Sequence, residues 1–162
     1  MITRSDITGA LDAAGIPFSL VEHPEARTTE EADAFIEGLE GVRTKSLFLV
    51  NRRRTAAYLL IMDNEKELDL GALAALLEET RLSFGSPGQL AGALGLEPGV
   101  VSPFGLIDPD HRAVTLLLDG EMLAEKTLTF HPGDNRATLF IGTEDLLAFL
   151  RDLGIPYRTI DL

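Results

Sequence analysis

The chain contains no cysteine, which removes disulfide cross-links, thiolate metal sites and a thiol nucleophile together. It has no tryptophan, and aromatic residues make up 6%, so there is no stacking platform for single-stranded bases beyond isolated Phe and Tyr positions. No apolar run approaches the ~20 residues of a membrane-crossing helix. The opening MITRSDITGALDAAG lacks the basic flank and continuous apolar stretch of a signal peptide. A cytoplasmic protein with no membrane partner is therefore expected. Also missing are a GxGxxG turn after a strand, a GxxxxGK[ST] loop and a GxSxG elbow. Dinucleotide, P-loop and serine-hydrolase chemistries are excluded on that ground.

A basic field is lacking as well. The net charge of −12 argues against a protein that grips a long duplex, and no DNA partner is expected. The cations are nevertheless unevenly placed. Arg43, Lys45, Arg52, Arg53, Arg54 and Lys66 crowd one third of the chain, while Glu30, Glu31, Glu37, Glu40, Glu65, Glu67, Glu78 and Glu79 occupy helical or loop stretches. A local basic patch is compatible with this pattern.

What is present is a chain of 162 residues, 45% hydrophobic and 25% charged, which reads as a single domain over 1–162. Ile7, Ala10, Leu11 and Ala14 recur at helical spacing before Gly15. A strand is expected from Pro17 to Val21, and then a helix capped by Thr28, with Glu31 returning a bond to the backbone. RTKSLFLV forms the organising strand. Arg52 to Arg54 read as a hairpin turn leading to a strand over Ala57 to Met62. A helix from Leu68 to Leu77 capped by Asp69, a strand over Leu82 to Phe84 and a helix begun by Ser86, Pro87 and Gln89 follow. Gly99 to Leu106 is apolar but broken by Pro103, a bent strand or loop whose backbone approaches something closely. Strands over Ala113 to Leu118, Thr127 to Phe130, Ala137 to Ile141 and Tyr157 to Ile160, with a helix opened by Thr143, complete an α+β or mixed-sheet pattern.

Three features need a common destination. Lys45 enters an apolar strand, so its ammonium is either aimed into a cleft or paired with a carboxylate. The Gly99 to Pro103 backbone is shaped for close approach. His131, with Asn135 and Thr138, stands in the FHPGDNRAT turn between two strands. A small cleft at the strand ends would collect all three. Asp108, Asp110 and His111 lie in a Pro-containing turn with no matching second cluster, and no metal site or other cofactor is assigned.

The TKSLFLV run, the GVVSPFGL loop with its G-x-x-x-P spacing and the FHPGDNRAT segment, in this order, resemble the YbaK/prolyl-tRNA-synthetase-associated editing domains. The likeness spans nearly the whole chain. It implies a mixed α/β fold with a central, partly barrel-like sheet flanked by helices, and an activity on aminoacyl-tRNA. The closest likeness is to freestanding members that deacylate alanine mischarged on proline tRNA. Carried over, Lys45 would be the essential lysine, Gly99 and Pro103 the pocket loop, and His131 the histidine that selects the amino acid. Many relatives have Asn where this chain has Ser46.

On this reading Lys45 holds the terminal phosphate or polarises the ester carbonyl. The amides of Gly99, Val100 and Val101 stabilise the oxyanion. Ser46, Ser102, Pro103, His131 and Asn135 line the substrate site, and Arg43, Arg52, Arg53 and Arg54 are candidate phosphate ligands. The partners implied are the acceptor end of tRNA(Pro) and prolyl-tRNA synthetase or an elongation factor. Deacylation of cysteine or serine from the same tRNA, a non-catalytic tRNA or synthetase adaptor, and a small-nucleotide or amino-acid binding module remain the rival readings.

Overall fold

The computed structural model describes residues 1–162 and is built around β2 (Val42–Asn51), which belongs to both halves of one mixed sheet. Its first two residues pair in parallel with β6 (Thr127–Phe130), Val42 against Leu128 and Arg43 against Thr129. From Thr44 onward it pairs antiparallel with β3 (Ala57–Asp63). Beyond β6 lie β7 (Ala137–Gly142) and the edge strand β1 (Ser19–Glu22), both antiparallel. Beyond β3 lie β5 (Val114–Asp119) and the edge strand β8 (Tyr157–Ile160), both parallel. The short β4 (Leu82–Phe84) pairs with the far end of β2. The expected mixed α/β architecture is observed, with eight strands in the sheet.

Period-two alternation along β2 separates two cores. Phe48 and Val50 join the larger one with Leu59, Ile61, Leu116 and Leu118, covered by α1 (Arg4–Ala13), α4 (Pro87–Leu94) and α5 (Thr143–Asp152). Leu47 and Leu49 face the other way, toward Leu60, Met62 and Leu73 under α3 (Leu70–Leu76). β3 is buried on both faces from Tyr58 to Met62, which explains its unbroken apolar run. Each fully buried Leu or Ile there contributes about 1.5–3 kcal/mol relative to exposure.

Helix starts follow the side-chain chemistry. Ser86 Oγ accepts from Gln89 N, and Gln89 Oε1 accepts from Ser86 N, a reciprocal cap. Asp69 accepts from Ala72 N. Thr28 accepts from Glu31 N at the start of α2 (Thr29–Phe35). The Glu31 carboxylate reaches back one residue further than expected and takes Arg27 N. Gly99 to Leu106 contains no strand: the chain turns at Gly99, with φ of 88°, and coils into a 3-10 helix over Pro103–Ile107. Proline supplies the fixed φ at that helix start, and Ser102 Oγ accepts from Phe104 N.

Candidate functional site

β2 and β6 pair over only two residues, so the sheet has a gap. Between Thr44 and Phe48 no strand pairs with β2 on its β6 side. Threonine hydroxyls stitch the seam: Thr44 Oγ1 donates to Thr129 O and Thr129 Oγ1 to Val42 O. A small pocket opens there, lined by Thr29, Ala32 and Asp33 of α2, Thr44 and Ser46 of β2, Thr129 and Phe130 of β6, Thr138 of β7, Val101 and His131. About 30 Å3 is open to the centres of water molecules, room for a few waters or a small side chain.

His131 stands immediately after β6. Burial, reinforced by the nearby His23, holds its imidazole below its ordinary value of 6.5 against the pull of Asp134. The ring is therefore neutral at pH 7, and no protein group bonds to either of its nitrogens. His23 is tied down instead: Nδ1 donates to Pro24 O at 2.8 Å, so Nε2 accepts from Thr138 Oγ1 at 3.1 Å. The ring of Phe35 stacks on it with centroids 5.1 Å apart. A fixed imidazole thus orients one hydroxyl of the pocket, and a free one lines the same pocket.

Of the expected site residues, the structure brings Ser46, Val101 and His131 together in this pocket. Val100 lines a neighbouring depression with Gly133 and Asp134, and its amide donates to Glu97 O. The expected three-amide cradle is thereby corrected, because Val100 has no N–H to give. The Val101 amide has no acceptor in the protein. Gly99 is exposed, and Ser102 and Pro103 are buried structural residues of the 3-10 turn. Asn135 lies outside the pocket, its amide 3.4 Å from Glu25 Oε1 and its carbonyl accepting from Ala26 N.

Lys45 sits on the opposite face of β2 from Ser46. It pairs across the sheet with Met62, and its Nζ donates to Lys66 O. The partner is a backbone carbonyl, so neither expected environment, cleft nor carboxylate, is the one observed. Arg43 is likewise engaged, donating to Gly41 O, Ile36 O and Leu39 O beside the Phe140 ring. It clasps the loop between α2 and β2 and is not a free phosphate ligand. Arg52, Arg53 and Arg54 are exposed at the far end of β2, roughly 20 Å from Ser46 at ~3.3 Å per residue. They cannot share a phosphate with Lys45. His111 Nδ1 bonds Gly105 O, and Asp108 Oδ1 accepts from Asp110 N, which makes that turn a local cap.

Thr138, expected beside His131, is in the pocket as well, whereas Asp33, Thr44, Thr129 and His23 carry no signal of the site in the sequence pattern used above. Thr44 was recoverable, since it shares strand parity with Ser46. The others meet only through long-range pairing.

Residues 23–149 match the family described as Aminoacyl-tRNA editing domain. The prolyl-tRNA editing protein ProX of Acetoanaerobium sticklandii is 31% identical over 163 aligned residues, covering 100% of this chain and 99% of that protein. The prolyl-tRNA synthetase associated domain-containing protein 1 of Danio rerio is 32% identical, covering 92% and 82% respectively. A crystal structure proposed to be a trans-editing enzyme for prolyl-tRNA synthetase superposes with a TM-score of 0.76 at 27% identity, over 98% of this chain and 95% of that one. No helix is long and apolar enough to cross a membrane. Match over most of the chain, agreement of fold, and a small polar pocket at the strand seam together place this chain in the aminoacyl-tRNA editing domain family.

Proposed function

We propose that this protein is a trans-acting deacylase that hydrolyses the ester joining alanine to the terminal adenosine of tRNA(Pro). The observation that carries this reading is the pocket at the β2–β6 gap, with a neutral imidazole, a free amide at Val101 and little room. The aminoacyl ester is already activated, so no covalent nucleophile is required of the protein. Water attacks the ester carbonyl carbon, oriented by the neighbouring hydroxyl of the terminal ribose, and His131 accepts its proton. The Val101 N–H donates to the developing oxyanion. The bond from carbonyl carbon to ribose oxygen breaks, that oxygen takes a proton, and free alanine and tRNA leave.

Lys45 supplies its ammonium to the terminal phosphate or ester carbonyl at the mouth of the gap. To do so its side chain leaves Lys66 O and turns round the unpaired edge of β2. Ser46 contacts the aminoacyl group from the pocket floor. Size accounts for the amino-acid choice. A synthetase pocket built for proline rejects alanine weakly, since a missing methylene is worth ~1–3 kcal/mol, and a second, smaller pocket removes what slipped through. Because only the single-stranded acceptor end is held, a net charge of −12 is tolerated. Prolyl-tRNA synthetase or an elongation factor delivers the substrate.

Seven of the ten lining residues are polar, which favours serine as a second substrate on the same tRNA. The test is hydrolysis of alanyl-, prolyl-, cysteinyl- and seryl-tRNA(Pro) side by side. Rapid loss of alanine with prolyl-tRNA(Pro) spared supports the proposal, and preference for serine selects the second reading. Failure on all four overturns deacylation.

A further inference from the structure

We infer that Asp33 is the anchor for the α-ammonium group of the aminoacyl ester, an inference that rests on the deacylase reading. Asp33 lies on α2 and contributes a carboxylate to the pocket that His131, Ser46 and Val101 line. It is half-buried, yet no protein donor reaches either of its oxygens. Burial pushes its pKa up; the nearby Arg43 pulls it down and Glu30 pushes it further up. Arg43 does not close an ion pair with it, because its guanidinium donates to the carbonyls of Gly41, Ile36 and Leu39.

The rest of the lining cannot neutralise this carboxylate. Thr29, Thr44, Ser46, Thr129 and Thr138 carry uncharged hydroxyls, and His131 is neutral. Three of the hydroxyls already donate elsewhere, Thr44 to Thr129 O, Thr129 to Val42 O and Thr138 to His23 Nε2. A half-buried carboxylate in such surroundings is costly unless a cation arrives with the ligand. An aminoacyl ester carries that cation, its α-ammonium, two bonds from the ester oxygen's own carbonyl carbon. The pairing would fix which end of the amino acid points toward α2 and leave the carbonyl toward Val101. It also gives the site a chemical criterion besides size: the amine must be free. An N-acylated aminoacyl-tRNA, which has lost that charge, is a poor ligand even when its side chain fits.

The experiment compares alanyl-tRNA(Pro) with N-acetyl-alanyl-tRNA(Pro) for the wild type and Asp33→Asn. Alongside, it measures binding of the non-hydrolysable 3′-alanylamido analogue of adenosine and of its N-acetyl form. The wild type should prefer the free amine by about 10- to 100-fold in kcat/KM, the usual worth of a charge-assisted hydrogen bond. In Asp33→Asn that preference should collapse toward one through loss on the free-amine substrate alone. An undiminished preference in the variant, in both hydrolysis and binding, overturns the inference. If the wild type binds the free-amine analogue through Asp33 but hydrolyses neither ester, the anchor stands and the deacylase reading falls. Binding of neither analogue overturns the anchor.

Discussion

Lys45 donates from Nζ to the backbone carbonyl of Lys66, and with the bond from Asn64 N to Arg43 O it joins the central strand to the loop after β3. Lys66 is held at its other end too, its amine 3.1 Å from Asp119 Oδ1 and 2.9 Å from Glu121 Oε2. Asp119 is completely buried, and its Oδ2 has no partner, so Lys66 is the cation that makes this carboxylate tolerable. A structural and a catalytic use of Lys45 thus make different demands on the same amine.

Replacing Lys45 by Met keeps the apolar stem and removes the charge. If the amine serves the reaction, kcat/KM falls by ~10²- to 10³-fold and the melting temperature moves by only a few degrees, as for a net loss of ~1 kcal/mol. Deacylation at wild-type speed in a less stable protein would instead make Lys45 a loop clamp.

His131 predicts the pH dependence. Its folded-state pKa lies below 6.5, so kcat/KM should rise with pH through an inflexion under 6.5 and be flat at neutrality. His131→Ala should abolish that limb and cost ~10²- to 10⁴-fold. The same depression makes His131 a source of acid lability. Its contribution is intact above the unfolded pKa and is lost as pH falls through the folded one. Thermal melts of wild type and variant should therefore converge as the medium is acidified.

The stability of Asp33→Asn should run the other way. The folded pKa of Asp33 is raised by burial, so the ionised carboxylate is disfavoured in the fold. That penalty is absent below the unfolded value of 3.8 and grows as pH rises through the folded one. The variant should melt higher than wild type at pH 7 and equally below pH 3.8. A lower melting temperature at pH 7 would mean that the carboxylate is compensated within the protein. Stability yielded at a binding site for the sake of its ligand is a common trade-off.

The arginines divide by position. Arg43→Ala removes three bonds to carbonyls and should destabilise by about 2–3 kcal/mol, read by chemical denaturation. Arg52, Arg53 and Arg54 together changed to Ala should leave stability nearly unaltered. At roughly 20 Å from Ser46, they should not affect hydrolysis of a minimal aminoacyl-adenosine ester. Any effect should appear as a salt-dependent rise in KM for whole tRNA; an equal loss on the minimal ester would place them nearer the chemistry.

Most of the fold was legible because its signals are local. Ser86, Pro87 and Gln89 announce α4 within four residues, and the doubly buried β3 reads directly from its apolar run. The resemblance in TKSLFLV, GVVSPFGL and FHPGDNRAT led to the correct family. The site was only half legible. Lys45 and Ser46 are expected at one site, but alternation sends adjacent strand residues to opposite faces, so of the two only Ser46 lines the pocket. The apolar composition of Gly99 to Leu106 suggests a bent strand or loop and masks the Ser102–Pro103 start signal of a 3-10 turn. Asp33 looked like an ordinary polar position on a short helix. Only the packing of α2 over the seam gives its carboxylate a destination, and β6 and β7, which complete that seam, come far later in the chain.

The two-residue junction of β2 with β6 also bears on when the protein becomes competent. Its two halves are joined where β2 meets β6, and one of those halves is itself closed by β1 on β7; both pairings link strands distant in sequence, and pairings of that span are slow to form. On the ribosome, the Thr44–Thr129 stitch must wait for most of the chain to emerge, and the seating of His23 on Thr138 must wait for β7. A nascent chain stopped before β7 would hold Lys45 and Ser46 but no enclosed site. Activity should thus arise late in synthesis and all at once, with no partly built pocket able to bind an aminoacyl end beforehand.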